Sequence, residues 1–273
     1  MKPHIRQLLD KTTDAIAARN LLREYLQARM LGGMQRAGAM IPLAFQGGTA
    51  LRFLYNIPRF SEDLDFALER PDRGFDLRAL LARIRVELES EGYEVELKVQ
   101  DSRAVRSATL RFPGLLFEME LSPRREEILS VKLEVDTAPP SGAALETTLI
   151  RRYVTLQLQH HDQASLLAGK CHAFLMRPYT KGRDLYDLFW YLNGPDWPSP
   201  NFALLNSALA QTEWEGPDVR PGNWRGLLAE KVAEVDFARA LEDVRPFLEV
   251  RSEVDMLTKD NLLRLLRSRA PGG

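Results

Sequence analysis

The chain has 273 residues, of which 45% are hydrophobic and 27% are charged, and its formal net charge is −1. This composition is ordinary for a soluble globular protein of one large domain or two modest ones, and it gives no support to nucleic-acid binding through bulk charge. The single cysteine, Cys171, excludes an intrachain disulfide and a cysteine-based metal site. Because we find no signal peptide and no apolar run long enough to span a bilayer, the sequence predicts a cytoplasmic protein without membrane contact.

The first half of the chain alternates helical and strand patterns. Apolar residues at helical spacing predict a first helix, and a short apolar run that stops at Gly47 predicts a buried strand followed by a tight turn. Thr49 is a suitable N-cap for a short helix that ends at Tyr55. In chain order, the pattern predicts a helix over 13–38, strands over 41–46 and 63–68, a helix over 75–91, and strands over 93–99, 105–112, 115–121 and 129–136.

The second half reads as mainly helical. Residues 138–142, rich in proline and glycine, are the best candidate for a linker. The helices are predicted over 162–177, 182–193, 201–210, 224–248 and 253–268. This change in pattern predicts an α/β sheet domain over residues 1–145 and a helical domain over residues 146–273.

Two carboxylates lie two residues apart on the predicted strand 63–68. The period of a strand puts Asp63 and Asp65 on one face, where they repel each other unless a cation lies between them. Hard divalent metals such as Mg²⁺ or Mn²⁺ prefer such ligands, and a pair of metals commonly serves nucleotidyl transfer. The alternative is that both side chains lie on the solvated face of an edge strand.

A glycine-rich turn precedes this strand. Gly47 and Gly48 would let the backbone approach a ligand, and the helix that follows would offer free N–H groups, with the hydroxyl of Thr49, to a phosphate. The alternative is a plain turn.

A third carboxylate usually completes such a site from a neighbouring strand. In the run from Val131 to Asp136, the residues Lys132, Glu134 and Asp136 share one face. Glu134 is our choice for the third metal ligand because it lies deeper in the strand, and Asp136 is the alternative. A half-exposed strand with polar residues outward explains the pattern equally well.

Charged residues recur on two helices of the second half. Lys170 and Arg177 are about two helical turns apart on one face, which suits a triphosphate. Asp184 and Asp187 are one turn apart and could orient these cations or act as a general base. The alternatives are a solvated helix face and local pairing, in which Arg183 reaches Asp187.

In this order, the segments resemble the AbiEii/AbiGii family of nucleotidyltransferase toxins. The resemblance covers roughly residues 45–192, and its matching segments are Gly47 to Leu51, Arg59 to Phe66, Lys170 with Arg177, and Arg183 to Leu188. It implies an α+β fold, in which a polymerase-β-like nucleotidyltransferase sheet with helices is followed by a mainly helical domain. It also implies that Asp63, Asp65, Lys170, Asp184 and Asp187 are catalytic, with Asp184 favoured over Asp187. The residues expected to bind the nucleotide or its phosphates are Gly47, Gly48, Thr49, Arg59, Ser61 and Arg177.

The resemblance also implies a biological role. It predicts a toxin of a toxin–antitoxin or abortive-infection system, which transfers NMP from an NTP to an acceptor, with the 3′ end of tRNA as the expected acceptor. A cognate antitoxin is expected, and no stable complex with it is required. The third-carboxylate motif departs from the family, since Lys132 precedes Glu134 where an apolar residue is expected. The alternatives are transfer to a protein or a small molecule, and a non-catalytic nucleotide-binding module.

Overall fold

A computed structural model of the chain describes residues 2–10, 12, 14–70, 75–101, 104–194 and 196–268. Met1 and residues 269–273, at the ends of the two predicted domains, lie outside the described residues. The chain divides into two compact units. The first comprises residues 1–56, 60–139 and 146–160, and the second comprises residues 57–59, 140–145 and 161–273.

The first unit is built on a mixed sheet of seven strands. Its strand order is β3-β4-β5-β2-β1-β7-β6, in which β2 pairs with β5, and β1 with β7, in parallel. The pairs β1–β2, β3–β4 and β4–β5 are antiparallel. The strands are β1 (Leu43–Gln46), β2 (Asp63–Leu68), β3 (Glu96–Gln100), β4 (Val105–Phe112), β5 (Leu129–Asp136), β6 (Leu145–Arg152) and β7 (Val154–His161).

Two helices of the first unit start at an aspartate N-cap. The side chains of Asp14 and Asp76 accept hydrogen bonds from the first turns of α2 and α4, which satisfies backbone donors that have no partner within the helix. The helices predicted over 13–38 and 75–91 are both present, and their ends differ from the prediction by a few residues. The helices are α1 (Lys2–Leu9), α2 (Ala15–Arg36), α3 (Gly47–Tyr55), α4 (Leu77–Ser90) and α5 (Leu115–Glu118).

The second unit is helical. A glycine begins α7, because any Cβ at Gly182 would overlap the carbonyl oxygen of Ala240 in α10. The α-helices are α6 (Gln163–Met176), α7 (Gly182–Asn193), α8 (Phe202–Gln211), α9 (Trp224–Ala233), α10 (Phe237–Val244) and α11 (Lys259–Arg267), and short 3₁₀ turns cover Arg245–Phe247 and Arg251–Met256. The predicted mixed sheet with helices and the helical C-terminal region are therefore confirmed.

The structure departs from the prediction in one strand, two helices and one helix cap. The predicted strand 115–121 contains the short helix α5 (Leu115–Glu118), since the buried residues Leu115, Leu116 and Met119 follow helical spacing after the left-handed Gly114. The predicted helix over 224–248 is two helices and a 3₁₀ turn, and the predicted helix over 253–268 is the end of a second 3₁₀ turn followed by α11. Thr49 does not cap α3, because the helix already begins at Gly47.

The strands β6 and β7 are absent from the sequence prediction, which placed residues 146–160 in the helical domain. Leu156, Leu158 and His160 are buried at alternate positions of β7, so the strand has the expected period. The hairpin turns at Tyr153, whose φ of 59° is unusual for a residue other than glycine. None of the helices in the described ranges is long and apolar enough to cross a membrane.

Candidate functional site

The first unit carries a group of charged side chains that we call the carboxylate face: Asp63 and Asp65 on β2, and Lys132 and Glu134 on β5. Leu64 and Phe66 are buried, whereas Asp63 and Asp65, which alternate with them along the strand, are partly exposed on the opposite face. The predicted strand alternation is thus confirmed. Two partly exposed carboxylates on one strand face are oxygen donors of the kind that Mg²⁺ and Mn²⁺ prefer, so the pair fits such a cation.

The parallel register of β2 and β5 sets the neighbours of these carboxylates. Lys132 lies opposite Asp63, and Glu134 lies opposite Asp65, whereas Asp136 lies opposite Ala67. Lys132 Nζ is 2.7 Å from Glu134 Oε1. The hydrogen bond to Glu134 raises the pKa of Lys132 and outweighs partial burial, and the charges of Asp63 and Asp65 act in the same direction.

The predicted third metal ligand does not join the aspartates in this structure. Within the described ranges, no three His, Cys, Asp or Glu side chains form a group that could hold a metal ion. Glu134 is paired with Lys132, and Asp136 accepts a hydrogen bond from the backbone of Ala138. Asp63 and Asp65 remain the predicted metal ligands, and Lys132 is the residue whose part the sequence analysis missed.

Gly47 meets Asp65 at the start of α3. Gly47 has φ +77°, and a Cβ at this position would overlap the Asp65 carboxylate. The carboxylate therefore lies against the first turn of the helix, where the partial positive charge of the N-terminus favours an anion. In contrast to α2, α4 and α6 of the described chain, α3 receives no side-chain hydrogen bond from its N-cap residue, Gln46.

The hydroxyl of Thr49 forms a hydrogen bond with strand β2 and is not exposed to solvent. Thr49 is 0% exposed, and its Oγ1 donates a hydrogen bond to the backbone oxygen of Asp63. This bond fixes the start of β2 against α3. Phosphate binding by the Thr49 hydroxyl stays a prediction, and it would require this bond to be exchanged.

A buried glutamine holds the loop before β2. Gln27 of α2 donates hydrogen bonds to the backbone oxygens of Ser61 and Glu62, at 3.0 and 2.9 Å. The predicted phosphate ligand Ser61 is thus anchored through its main chain, while its side chain stays partly exposed. The signal in the sequence is that the polar residues Asn20, Glu24 and Gln27 recur at helical spacing, and in the structure all three are buried.

The second unit carries an ion-pair network that contains Arg59, Lys170, Arg177, Asp184 and Asp187. Arg59 reaches Asp187 with two hydrogen bonds, from Nε to Oδ1 and from Nη2 to Oδ2, each 2.5 Å long. Lys170 Nζ is 2.7 Å from Asp187 Oδ2. Burial alone would raise the pKa of Asp187, but the charges of Arg59 and Lys170 outweigh it and hold the pKa below its usual value.

Asp184 joins the two predicted phosphate-binding cations. Lys170 Nζ is 3.6 Å from Asp184 Oδ1, and Arg177 donates to Asp184 Oδ2. Arg177 follows the last residue of α6 in an extended conformation, so the two cations meet at one carboxylate although only Lys170 lies within the helix. The guanidinium of Arg183, the alternative local partner of Asp187, lies 4.3 Å from the centre of the Phe247 ring.

The two aspartates and Arg59 are poorly accessible. Arg59 is 1% exposed, Asp187 is 0% exposed and Asp184 is 5% exposed, whereas the side chain of Arg177 is 36% exposed. Asp187 accepts hydrogen bonds from two cations at once. Arg177 is the member of the network most open to a ligand, whereas catalysis by Asp187 and phosphate binding by Arg59 stay predictions.

The sequence profile of the family described as "Nucleotidyl transferase AbiEii toxin, Type IV TA system" matches residues 29–259. The chain belongs to this family. The AbiEii match covers both the carboxylate face and the ion-pair network, and the chain is accordingly a nucleotidyltransferase. Membership of a type IV toxin–antitoxin family implies an antitoxin partner and the use of an NTP.

Two solved structures from Helicobacter pylori share the fold. A protein assigned as a nucleotidyltransferase from H. pylori superposes with a TM-score of 0.56 at 18% identity, over 90% of this chain and 92% of that one. JHP933 from Helicobacter pylori gives a TM-score of 0.54 at 16% identity, over 91% and 90% of the two chains. At these identities the likeness is one of fold alone. No curated protein sequence matches the chain.

Proposed function

We propose that this AbiEii-family chain is a toxin that transfers a nucleotide from an NTP to the 3′ end of tRNA, and that the reaction depends on Mg²⁺ or Mn²⁺. The observation that carries the proposal is the pair Asp63 and Asp65, side by side on one strand face, with Asp65 against the start of α3. The tRNA acceptor rests on the resemblance to the family.

Asp63 and Asp65 would hold the divalent cation. When bound, the cation supplies positive charge that offsets the phosphates of the nucleotide. The backbone of Gly47 and Gly48 would bind a phosphate, because the first turn of α3 offers N–H groups that no N-cap side chain occupies. A side chain at Gly47 would displace Asp65, which explains the glycine at this position.

Lys170 and Arg177 would bind phosphate oxygens of the NTP. The ammonium of Lys170 is fixed by Asp187 and Asp184, so it is oriented before any ligand arrives. Arg177, more exposed, can exchange its bond to Asp184 for a phosphate. In this account Arg59, Asp184 and Asp187 are positioning residues that keep the cations in place, and neither aspartate acts as the general base.

The transfer itself forms one bond and breaks one. The acceptor hydroxyl oxygen bonds to the α-phosphorus, the bond from the α-phosphorus to the oxygen that bridges to the β-phosphate breaks, and pyrophosphate leaves. The hydroxyl proton passes to solvent. Catalysis then consists of positioning and of charge neutralisation by preorganised groups.

The test is incubation of the purified protein with total tRNA, Mg²⁺ and each α-labelled NTP in turn. We expect label on tRNA with at least one nucleotide, and none when the protein carries Asp65→Ala. The matched control is Asp136→Ala, which removes a carboxylate from the same sheet face but opposite Ala67, and which we expect to keep activity.

The other outcomes separate the alternatives. Label on the protein itself, or on an added small molecule, would keep the nucleotidyl transfer and discard tRNA as the acceptor. Activity in the Asp65→Ala protein, or full activity after removal of divalent cations by a chelator, would overturn the proposed metal site. Labelled tRNA that loses its label after trimming of the 3′ terminal nucleotides would place the modification at that end.

A further inference from the structure

The carboxylate face contains its own cation. Lys132 of β5 lies directly opposite Asp63 of β2. Its ammonium is 2.7 Å from Glu134, the residue opposite Asp65. Three carboxylates and one ammonium thus share one face of two adjacent strands. Both members of the Lys132–Glu134 pair are accessible, with side chains 42% and 30% exposed, so the pair is reachable by ions from solvent.

The charge of this group suits one divalent cation. With Lys132 protonated, the four side chains carry two net negative charges, which a single Mg²⁺ or Mn²⁺ balances. A second divalent cation would find an ammonium close to the position between Asp65 and Glu134, and like charges at such distances repel. Glu134 would also have to leave Lys132 before it could bind a metal.

We propose that Lys132 is a positioning residue that limits the carboxylate face to one divalent cation before the nucleotide binds. It does so by holding Glu134 in an ion pair and by occupying the place of a second divalent cation. This inference rests on the proposed metal site of Asp63 and Asp65. It gives a physical reason for the lysine found two residues before the acid on β5. It also implies that any second divalent cation in the reaction arrives with the nucleotide and is not held by the free protein.

The test is a titration of the nucleotide-free protein with Mn²⁺, in which free Mn²⁺ is measured by electron paramagnetic resonance. We expect the wild-type chain to bind one Mn²⁺, and to lose it with Asp65→Asn. Lys132→Met should bind a second Mn²⁺, whereas a single Mn²⁺ bound more tightly would reflect only the lost positive charge and would contradict the limit. Lys132→Arg should behave as the wild type, because it retains the charge.

Two further variants make the result specific. Adding Glu134→Gln to Lys132→Met should restore the binding of a single Mn²⁺ with wild-type affinity, since the Glu134 carboxylate released by the loss of Lys132 is no longer present as a ligand. Lys98→Met is the matched control, because Lys98 is exposed on β3 in the same cross-strand row as Lys132, with Thr109 of β4 between them. It loses the same charge, and we expect its affinity to stay within about twofold of the wild type.

The outcomes distinguish this inference from the proposed function. If the wild type binds Mn²⁺ through Asp65 but Lys132→Met shows the same number and affinity of ions, the role of Lys132 is refuted and the metal site stands. An equal change in Lys98→Met would refute it as well, since the effect would then be general electrostatics. A wild-type chain that binds no Mn²⁺ at Asp65 would overturn both the metal site and the inference.

Discussion

The carboxylate face and the ion-pair network contain the same kinds of side chain in opposite environments. On the carboxylate face, Asp63, Asp65 and Glu134 are partly open to solvent. In the network, Asp187 is fully buried and bound on both oxygens by Arg59 and Lys170. An exposed carboxylate can exchange its contacts for a ligand at little cost to the fold, whereas a buried one is needed by its partners. The carboxylate face is therefore open to a ligand, whereas the buried carboxylate of the ion-pair network is needed by its partners.

The sharpest test of this contrast is Asp65→Asn. We expect nucleotidyl transfer to fall at least about a thousandfold, equivalent to about 4 kcal/mol, because the lost charge removes a ligand of the proposed cation. The free energy of unfolding should change by less than about 1 kcal/mol, since the side chain is partly exposed. Transfer kinetics and urea unfolding of the same preparation measure both. A fall in the free energy of unfolding as large as the rise in the activation free energy of transfer would contradict this contrast between the two groups.

The converse change is Asp187→Asn in the network. It leaves the buried Arg59 without its carboxylate and removes one of the two carboxylates that hold Lys170, so we expect the free energy of unfolding to fall by about 3 kcal/mol. Urea unfolding followed by circular dichroism gives the value. Arg85→Gln, which breaks the exposed pair with Glu89, is the control and should cost about 0.5 kcal/mol or less. Equal effects of the two variants would contradict a holding role for Asp187.

A third change acts where the carboxylate face touches the backbone. Gly47→Ala places a Cβ against Asp65 at a φ of +77°, so we expect a loss of about 1 to 3 kcal/mol in stability together with a loss of transfer. Gly38→Ala is a matched control with φ +78°, at which the added Cβ would meet no atom of a non-adjacent described residue within 4 Å. The difference between the two variants in thermal unfolding isolates the clash with Asp65 from the backbone strain.

The smallest expected effect is on the pH dependence of stability. The pKa of Asp187 is lowered in the folded chain, so the folded state favours its charged form. The resulting stabilisation is present above the unfolded pKa, near 3.8, and is lost as the pH falls through the lower folded value. The stability difference between the wild type and Asp187→Asn should therefore shrink as the pH is lowered below about 4. A difference that stays constant between pH 3 and pH 6 would contradict the charged network.

The sequence was sufficient for features that depend on local periodicity. The alternation around Asp63 and Asp65 predicts the strand and its polar face, and the start of α7 at Gly182 was placed correctly. Local periodicity failed where the same residues fit both the helical and the strand period. Leu115 and Leu116 are both buried in a helix, but their pattern is equally compatible with a strand.

Contacts between distant parts of the chain could not be predicted in this way. Arg59 and Asp187 are 128 positions apart, and no local pattern shows that one binds the other. The position of Lys132 beside Asp63 depends on the pairing of β2 with β5, which is a property of the sheet and not of either strand. For the same reason the sequence could favour Glu134 over Asp136 only by its depth in the strand, whereas the register shows that Glu134 lies opposite Asp65 and Asp136 opposite Ala67.

The placement of residues 57–59 in the second unit has a consequence for dissecting the protein. A fragment that begins at residue 140 would lack Arg59, whose guanidinium binds both oxygens of Asp187, and the backbone bridge from Arg59 to Leu248. The helical part is therefore not encoded by one continuous stretch of the gene. Truncations designed from the linear order of the sequence should yield an unstable helical fragment, and a stable one would have to carry the 57–59 segment as a graft.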